Sequence, residues 1–324
     1  ILMDKRVDVA VLETARGGIV NKGLGYEKAD IAILTNISDD HLGIDGINTL
    51  EEMANIKALI AESVKKQGYV VLNGDDDYIV KMAERVKSEI IYFTKNPDNL
   101  IMKKHRSLHG KLIYLKDGTI FIFDGKKDIP VITVREIPAT LEGILTHNIE
   151  NSMAAIAGAY SYGVNIGDIY SALNKFDTGI KNNPGRFNLF HMGDFKVVLD
   201  YGHNIEGYRK VLDGLEKIKE NRLIGIIGMP GDRSDISIMK VGEISGKHFD
   251  YVYIKEDKNP RGRKSGQVAD LLKGGCSLGG MKNNCMEIKL CEVRALRKAM
   301  QNAKMGDIIL VFYEEYGPLV KEIE

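Results

Sequence analysis

The sequence predicts an α/β protein of two domains, each built on a mostly parallel sheet covered by helices on both faces. Three observations predict it. Short apolar runs of strand length alternate with longer stretches whose apolar residues recur at helical spacing. Glycine accounts for 34 of 324 residues, above the usual share of about seven per cent, as many tight strand-to-helix turns require. The alternation also breaks and restarts once, at residues 177–184, which are rich in Gly, Asn and Lys and are followed by Gly185. That break divides the chain into expected domains at 1–182 and 183–324, each large enough for its own core.

In chain order, a short apolar strand is expected over 7–12, ending in Glu13-Thr14-Ala15-Arg16-Gly17-Gly18. The run 31–34 reads as a buried strand and delivers Thr35-Asn36-Ile37-Ser38-Asp39-Asp40-His41 at its carboxyl end. A helix fits 49–66, where Leu50, Met53, Ala54, Ile56, Leu59, Ile60 and Val64 keep near-helical spacing. A strand over 69–72 is followed by the turn Asn73-Gly74-Asp75-Asp76-Asp77, a helix over 78–87 and a strand over 90–93. From 111 to 134 the pattern changes to short strands parted by Asp117-Gly118 and Asp124-Gly125, both hairpin turn pairs. Helices follow over 148–162 and 166–175. Beyond the break, strands fit 196–199, 223–228, 251–254, 286–290 and 308–312, and helices fit 205–219, 236–248, 265–273 and 293–303.

Bulk composition narrows the functional classes. Lys+Arg and Asp+Glu both total 45, so no charge excess argues for nucleic acid or an acidic membrane surface. Cys276, Cys285 and Cys291 are odd in number and form no CxxC pair; they read as free thiols of a reducing compartment. No apolar run reaches membrane-spanning length and no secretory leader is recognisable, so the cytoplasm is the expected location. Ile1 is not an initiator residue, which reads as a piece of a longer protein.

The chemistry-bearing residues fall at strand ends and helix starts. Asp and His in the 35–41 stretch suit a hard divalent cation that shares its shell with phosphate and water. The same residues also suit an Asp-rich helix N-cap, and the stretch alone does not choose. Glu13, at a neighbouring strand end, can share that ion or be a solvated loop carboxylate. Lys57 lies in the next helix; it either snorkels to water or points to the sheet edge, where a neutral amine can take up CO2 as a carbamate. Asn148 and Asn151 lie one helical turn apart, matching either the edge of a purine or a cap plus a surface residue.

In the second domain, Pro184-Gly185-Arg186-Phe187 presents an arginine on a rigid turn, suited to phosphate. Asp200-Tyr201-Gly202-His203-Asn204 follows a strand and precedes a helix. Gly228-Met229-Pro230-Gly231-Asp232-Arg233 repeats that arrangement with glycines able to cradle an anion. Asn259-Pro260-Arg261-Gly262-Arg263 is a basic turn that can clamp a carboxylate or stay solvated.

Taken in order, Glu13, TNISDDH, Lys57, HNxxN, PGRF, DYGHN and GxxGDR resemble the Mur ligase superfamily, which joins a carboxylate to an amine at the expense of ATP. The run from Glu13 to Gly18, DDHLGI, Pro230 to Arg233 and Arg261-Gly262-Arg263 are similar to its cyanophycin-forming branch in particular. The resemblance covers essentially the whole chain. It implies a Mur ligase central domain, incomplete because it lacks the phosphate-loop strand, followed by a Rossmann-like C-terminal α/β domain. It further implies that Glu13 and His41 hold Mg2+ with ATP phosphate, and that Lys57 sits where many relatives carry a carbamylated lysine. By the same resemblance, Asn148 and Asn151 contact adenine, Arg186, Asp200 and His203 reach the nucleotide, and Asp232 and Arg233 line a cleft that closes over ATP. Arg261, with Arg263, falls where a relative grips its amino-acid substrate. The implied partners are arginine and the aspartate-backboned polymer cyanophycin, with a homo-oligomer left open. Family members carry a GxxGK[ST] loop upstream of the Glu13 strand, so the expectation is that this chain alone does not ligate. Other Mur-type ligases, acting on folylpolyglutamate or peptidoglycan precursors, and a non-catalytic nucleotide-binding module remain rival readings.

Overall fold

The computed structural model describes residues 4–38 and 46–324. The chain divides into two compact units, Ile1–Val134 with Glu150–Ala172, and Arg135–Ile149 with Leu173–Glu324.

The first unit runs α1 (Arg16–Lys22), β1 (Ala29–Leu34), α2 (Leu50–Glu62), β2 (Val64–Asn73), α3 (Asp77–Met82), β3 (Glu89–Thr94), α4 (Leu100–Ser107), β4 (Lys111–Lys116), β5 (Thr119–Phe123) and β6 (Asp128–Thr133). Its six strands pair in chain order; β1 to β4 are parallel, and β5 and β6 add antiparallel. Parallel strands covered on both faces are apolar throughout, and Val70, Val71 and Leu72 of β2 are all fully buried. Ala32, Val70, Leu72 and Tyr92 share one core with Met53, Ala54 and Ala58 of α2 and Met102 of α4. Thr49 and Glu52 start α2 with a reciprocal capping box, Thr49 Oγ1 accepting the Glu52 N–H and the Glu52 carboxylate the Thr49 N–H. Two further helices follow, α5 (Thr146–Tyr162), whose first residues belong to the second unit, and α6 (Ile166–Lys175).

The strand expected over 7–12 does not form. A strand exists only as a member of a ladder, and this segment pairs with no strand among the described residues. Val7, Val9, Val11 and Leu12 are all exposed instead. The helix expected over 78–87 is shorter, α3 closing in a single 3-10 turn over Ala83–Arg85.

The second unit runs β7 (Asn188–His191), β8 (Lys196–Asp200), α7 (Ile205–Glu216), β9 (Leu223–Ile227), α8 (Asp235–His248), β10 (Tyr251–Ile254), α9 (Gln267–Leu278), β11 (Met286–Ile288), α10 (Glu292–Asn302), β12 (Ile308–Phe312) and α11 (Tyr316–Ile323). The strand order is β11-β10-β9-β12-β8-β7, parallel except for β7. Alternate residues face opposite ways along a strand. Ile308, Leu310 and Phe312 of β12 accordingly join the core under α7, α8 and α9, while Ile309 and Val311 join the core under α10 and α11. Two apolar faces on one strand explain why the run is continuous in sequence. The return of β12 between β8 and β9 gathers the carboxyl ends of β8, β9, β10 and β12 along one edge, the usual place for a ligand in an open α/β sheet. No helix among the described residues is long and apolar enough to cross a membrane.

Candidate functional site

In the first unit the residues after β1 are held from two sides. Asn73, the last residue of β2, donates its side-chain N–H to the Thr35 carbonyl at 2.7 Å. Asp76 accepts the Ile37 N–H at 2.8 Å, and its other oxygen caps α3 through the Tyr78 and Ile79 N–H groups. Lys57 is half-buried, and its Nζ donates to the Asn36 carbonyl at 3.2 Å. Of its two expected orientations, it takes the one toward the sheet's carboxyl edge. Asn73 and Asp76 were legible only as turn residues; their signal was adjacency to a buried strand, which says nothing of the strand beside it.

Glu13 is exposed, in the unpaired segment ahead of α1. His41, with Asp39 and Asp40, lies outside the described residues. Among the described residues no group of three or more His, Cys, Asp or Glu is arranged to hold a metal ion. Glu13 by itself therefore does not make an ion site. Asn148 and Asn151 both lie in α5; the Asn148 amide donates to the Ala139 carbonyl at 2.6 Å, and Asn151 is exposed.

The second unit brings more of the expected residues together. The Asp200 carboxylate, at the carboxyl end of β8, is buried and accepts the N–H groups of Phe187 at 2.9 Å and Gly202 at 2.8 Å. Burial raises its pKa above the ordinary 3.8, against those two bonds and the nearby Arg186 and His203. The Arg186 guanidinium lies 5.2 Å over the Tyr201 ring, and His203 packs on the same ring at 5.1 Å. His203 Nδ1 is 3.0 Å from the Tyr201 carbonyl, and Asn204 caps α7 through the Gly207 N–H. Arg186 is exposed, so its charge faces outward from this edge.

The turn that carries Arg186 is fixed by its neighbours. Asn188 accepts the Gly185 N–H at 2.6 Å and the Tyr316 hydroxyl at 2.7 Å, and donates to the Thr178 and Asn183 carbonyls. Tyr313 donates to the Gly185 carbonyl at 3.0 Å, and burial pushes its phenol up to about 12. A Cβ on Gly185 would lie 2.0 Å from the Tyr313 hydroxyl, so only glycine fits. Asn188, Tyr313 and Tyr316 were missed in the sequence, where nothing marks them apart from ordinary strand and helix residues.

The loops after β9 and β10 interlock. Arg261 pairs with Asp232 at 2.8 Å, both partly exposed, a contact worth about 0–1 kcal/mol. Arg263 donates from Nε to the Gly231 carbonyl and from its terminal nitrogen to the Arg233 carbonyl, both at 2.7 Å, and pairs with Asp235. Its fork is thus committed to holding the 231–235 turn. The Arg233 side chain is nearly buried beside Asp232. Arg186, His203, Asp232, Arg233, Arg261 and Arg263 therefore stand on loops at one sheet edge, with Asp200 at the end of β8: four cations, two carboxylates, one of them buried, and an imidazole ring.

Comparison with known proteins also finds two parts, although the first match includes residues 135–149, which belong to the second structural unit. The Mur ligase middle domain matches residues 2–159, and the Mur ligase glutamate ligase domain matches 185–312. A cyanophycin synthetase of Geminocystis herdmanii is 39% identical over the whole chain, and one of Crocosphaera subtropica 38% identical over 97% of it. The chain spans only 37% and 36% of those relatives' lengths. Among solved structures, a bifunctional folylpolyglutamate synthase/dihydrofolate synthase with Mn, AMPPNP and L-glutamate bound aligns with a TM-score of 0.64. That alignment has 17% identity and covers 90% of this chain and 61% of the other, a likeness of fold.

Proposed function

Since the chain belongs to the Mur ligase family and carries its middle and C-terminal domains, we propose that it is the amide-forming part of an ATP-dependent ligase that adds arginine to the aspartate side chains of cyanophycin. The observation that carries this reading is the single sheet edge on which Arg186, Asp200, His203, Asp232, Arg233 and Arg261 converge. The proposed domains are 1–182, binding ATP, and 183–324, contributing nucleotide and amino-acid contacts. A cytoplasmic location belongs to the same reading, in keeping with cysteines that are all free.

The proposed reaction has two steps. The acceptor carboxylate takes the γ-phosphoryl group of ATP and ADP leaves; the amine nitrogen then attacks the acyl carbon, phosphate leaves and a proton is lost. Positioning and charge neutralisation are the main work in such a transfer. Arg186, outward-facing and steadied on Tyr201, offsets phosphate charge, and His203, with Nδ1 turned to the Tyr201 carbonyl, presents its other ring nitrogen to the nucleotide. Asp200 acts through the backbone, holding the Phe187 and Gly202 N–H groups so that the Arg186 and His203 turns keep their shape. Asn148 and Asn151 contact adenine, and Lys57, at the edge of the first sheet, meets the acceptor side of the reaction. Glu13 and His41 are the residues that would hold Mg2+ beside ATP, and the ion would supply neutralisation of phosphate charge when bound. Arg261 grips the carboxylate of the incoming amino acid.

The test is ATP-dependent amide formation on a cyanophycin primer by the protein in its natural length, with arginine, lysine, glutamate and diaminopimelate compared side by side. Arginine is expected to be used at least tenfold more efficiently than the others. Preference for another amine points to a different Mur-type ligase. Nucleotide binding with no amide formed overturns the enzymatic reading.

A further inference from the structure

Lys255, the first residue after β10, is 2% exposed, which is unusual for a group that carries a full charge. An ammonium in a protein interior is tolerated only when partners replace its water. Here two carboxylates do so: Asp257 at 2.9 Å and Glu292, the first residue of α10, at 3.4 Å, both themselves almost buried. Glu292 is engaged further. Its two oxygens accept the backbone N–H groups of Glu314 and Glu315, each at 2.9 Å, in the turn after β12. The stem of Lys255 lies against Gly228 after β9, where a Cβ would come 2.4 Å from the lysine Cε. One side chain thus gathers the turns after β9, β10 and β12 with the start of α10.

The links continue outward from this cluster. Lys258 donates its N–H to the Glu314 carboxylate at 2.8 Å and pairs through Nζ with Glu315. Asn259 accepts the Arg261 N–H at 2.9 Å, which fixes the turn that aims Arg261 at Asp232. The strands beneath are held by two extensive apolar cores without these ions. A buried ion cluster in place of a leucine or methionine adds no evident stability, and what it does add is a defined arrangement of the groups it joins.

We propose that Lys255 is the positioning residue of the amino-acid-binding loop, setting the place of Arg261 through Asp257 and Glu292. The proposal rests on the reading of Arg261 as the group that meets the incoming amino acid, and goes beyond it by naming what holds that group. Lys255→Met keeps the stem and removes the charge. Hydrogen exchange in the nucleotide-loaded protein is expected to speed up at least tenfold in peptides covering 256–264 and 313–317, with β8 and β9 unchanged. The KM for the amino acid is expected to rise at least tenfold, with ATP KM within twofold. Unchanged exchange in both loops, or an equal rise in both KM values, overturns the proposal. Should Lys255→Met not fold, Asp257→Asn, which weakens the same cluster by removing the charge of one partner carboxylate, must show the same selective exchange or the proposal falls. Exchange judges the positioning by itself, whereas a wild-type protein that joins no amino acid to any acceptor defeats only the reading beneath it.

Discussion

The Phe187 backbone N–H donates to the buried Asp200 carboxylate at 2.9 Å, and Phe187 itself sits in the left-handed region with φ of 48°. A bulky residue rarely adopts that conformation, which costs about 1–2 kcal/mol. The carboxylate bond and burial of the ring offset the cost, and together they turn the chain so that Arg186 faces out while Phe187 faces in.

Asp200→Ala removes the acceptor of two backbone N–H groups, and is expected to destabilise the protein by about 1–3 kcal/mol in urea titration. The pH dependence has a definite sign. Burial raises the folded pKa of Asp200 above the ordinary 3.8, so the folded protein binds this proton more tightly than the unfolded chain. The stability it contributes is fully present below pH 3.8 and declines as pH rises through the raised folded value. Measured against Asp200→Asn, which does not titrate, wild-type stability should fall across that window. A difference that rises with pH would contradict the assignment.

Gly185→Ala is expected to cost about 1–3 kcal/mol, because the new methyl meets the Tyr313 hydroxyl on a backbone with φ of 80°. The clash and the strain can be separated. Tyr313→Phe removes the offending oxygen, so the double variant should be more stable than the sum of the two single losses predicts, and a thermodynamic cycle from urea curves checks it. Strict additivity would mean that the strain alone matters.

Much of the second unit was legible because its strands are buried on both faces. A run such as Ile308 to Phe312 has no other use in a sequence balanced in charge, and the structure places β12 on those residues. The failures have physical reasons. The 7–12 run has strand composition but no partner strand among the described residues, and pairing cannot be read from one segment. Helix α4 escaped notice because Leu100 and Ile101 are exposed and only Met102 is buried, so its apolar residues mark no face. The Gly17-Gly18 pair hid α1, and Pro318, tolerated in a first turn, hid α11. At the site, Asp200 and Arg186 announced themselves by type and position. Lys255 did not, since a lysine after a strand reads as solvated until Glu292, distant in sequence, is found beside it.

Arg186→Ala should weaken nucleotide binding about tenfold, the equivalent of about 1.4 kcal/mol. Its side chain is exposed and rests on Tyr201, so the change in folding stability should stay within about 0.5 kcal/mol. Titration with a fluorescent ADP analogue at two salt concentrations checks both the size and the electrostatic origin. The wild-type affinity should fall with salt more steeply than that of the variant. Parallel slopes would remove the charge role from Arg186.

Lys57 offers the sharpest link between placement and chemistry in the first unit. Its Nζ reaches the Asn36 carbonyl at 3.2 Å across the gap between α2 and the end of β1. That carbonyl belongs to the stretch also pinned by Asn73 and Asp76, so the amine has a fixed address at the sheet edge. Lys57→Met keeps the stem and removes the nitrogen, and is expected to lower amide formation at least a hundredfold with nucleotide affinity kept within threefold. Carbamylation adds a separate test. Carbon NMR under labelled CO2 decides between a free and a carbamylated Lys57: a carbamate signal in the wild type that is missing from Lys57→Met assigns the modification to this amine, and no signal in the wild type leaves the amine free. A full signal in the variant would place the modification elsewhere, and unchanged turnover would leave Lys57 as a strut for the Asn36 turn.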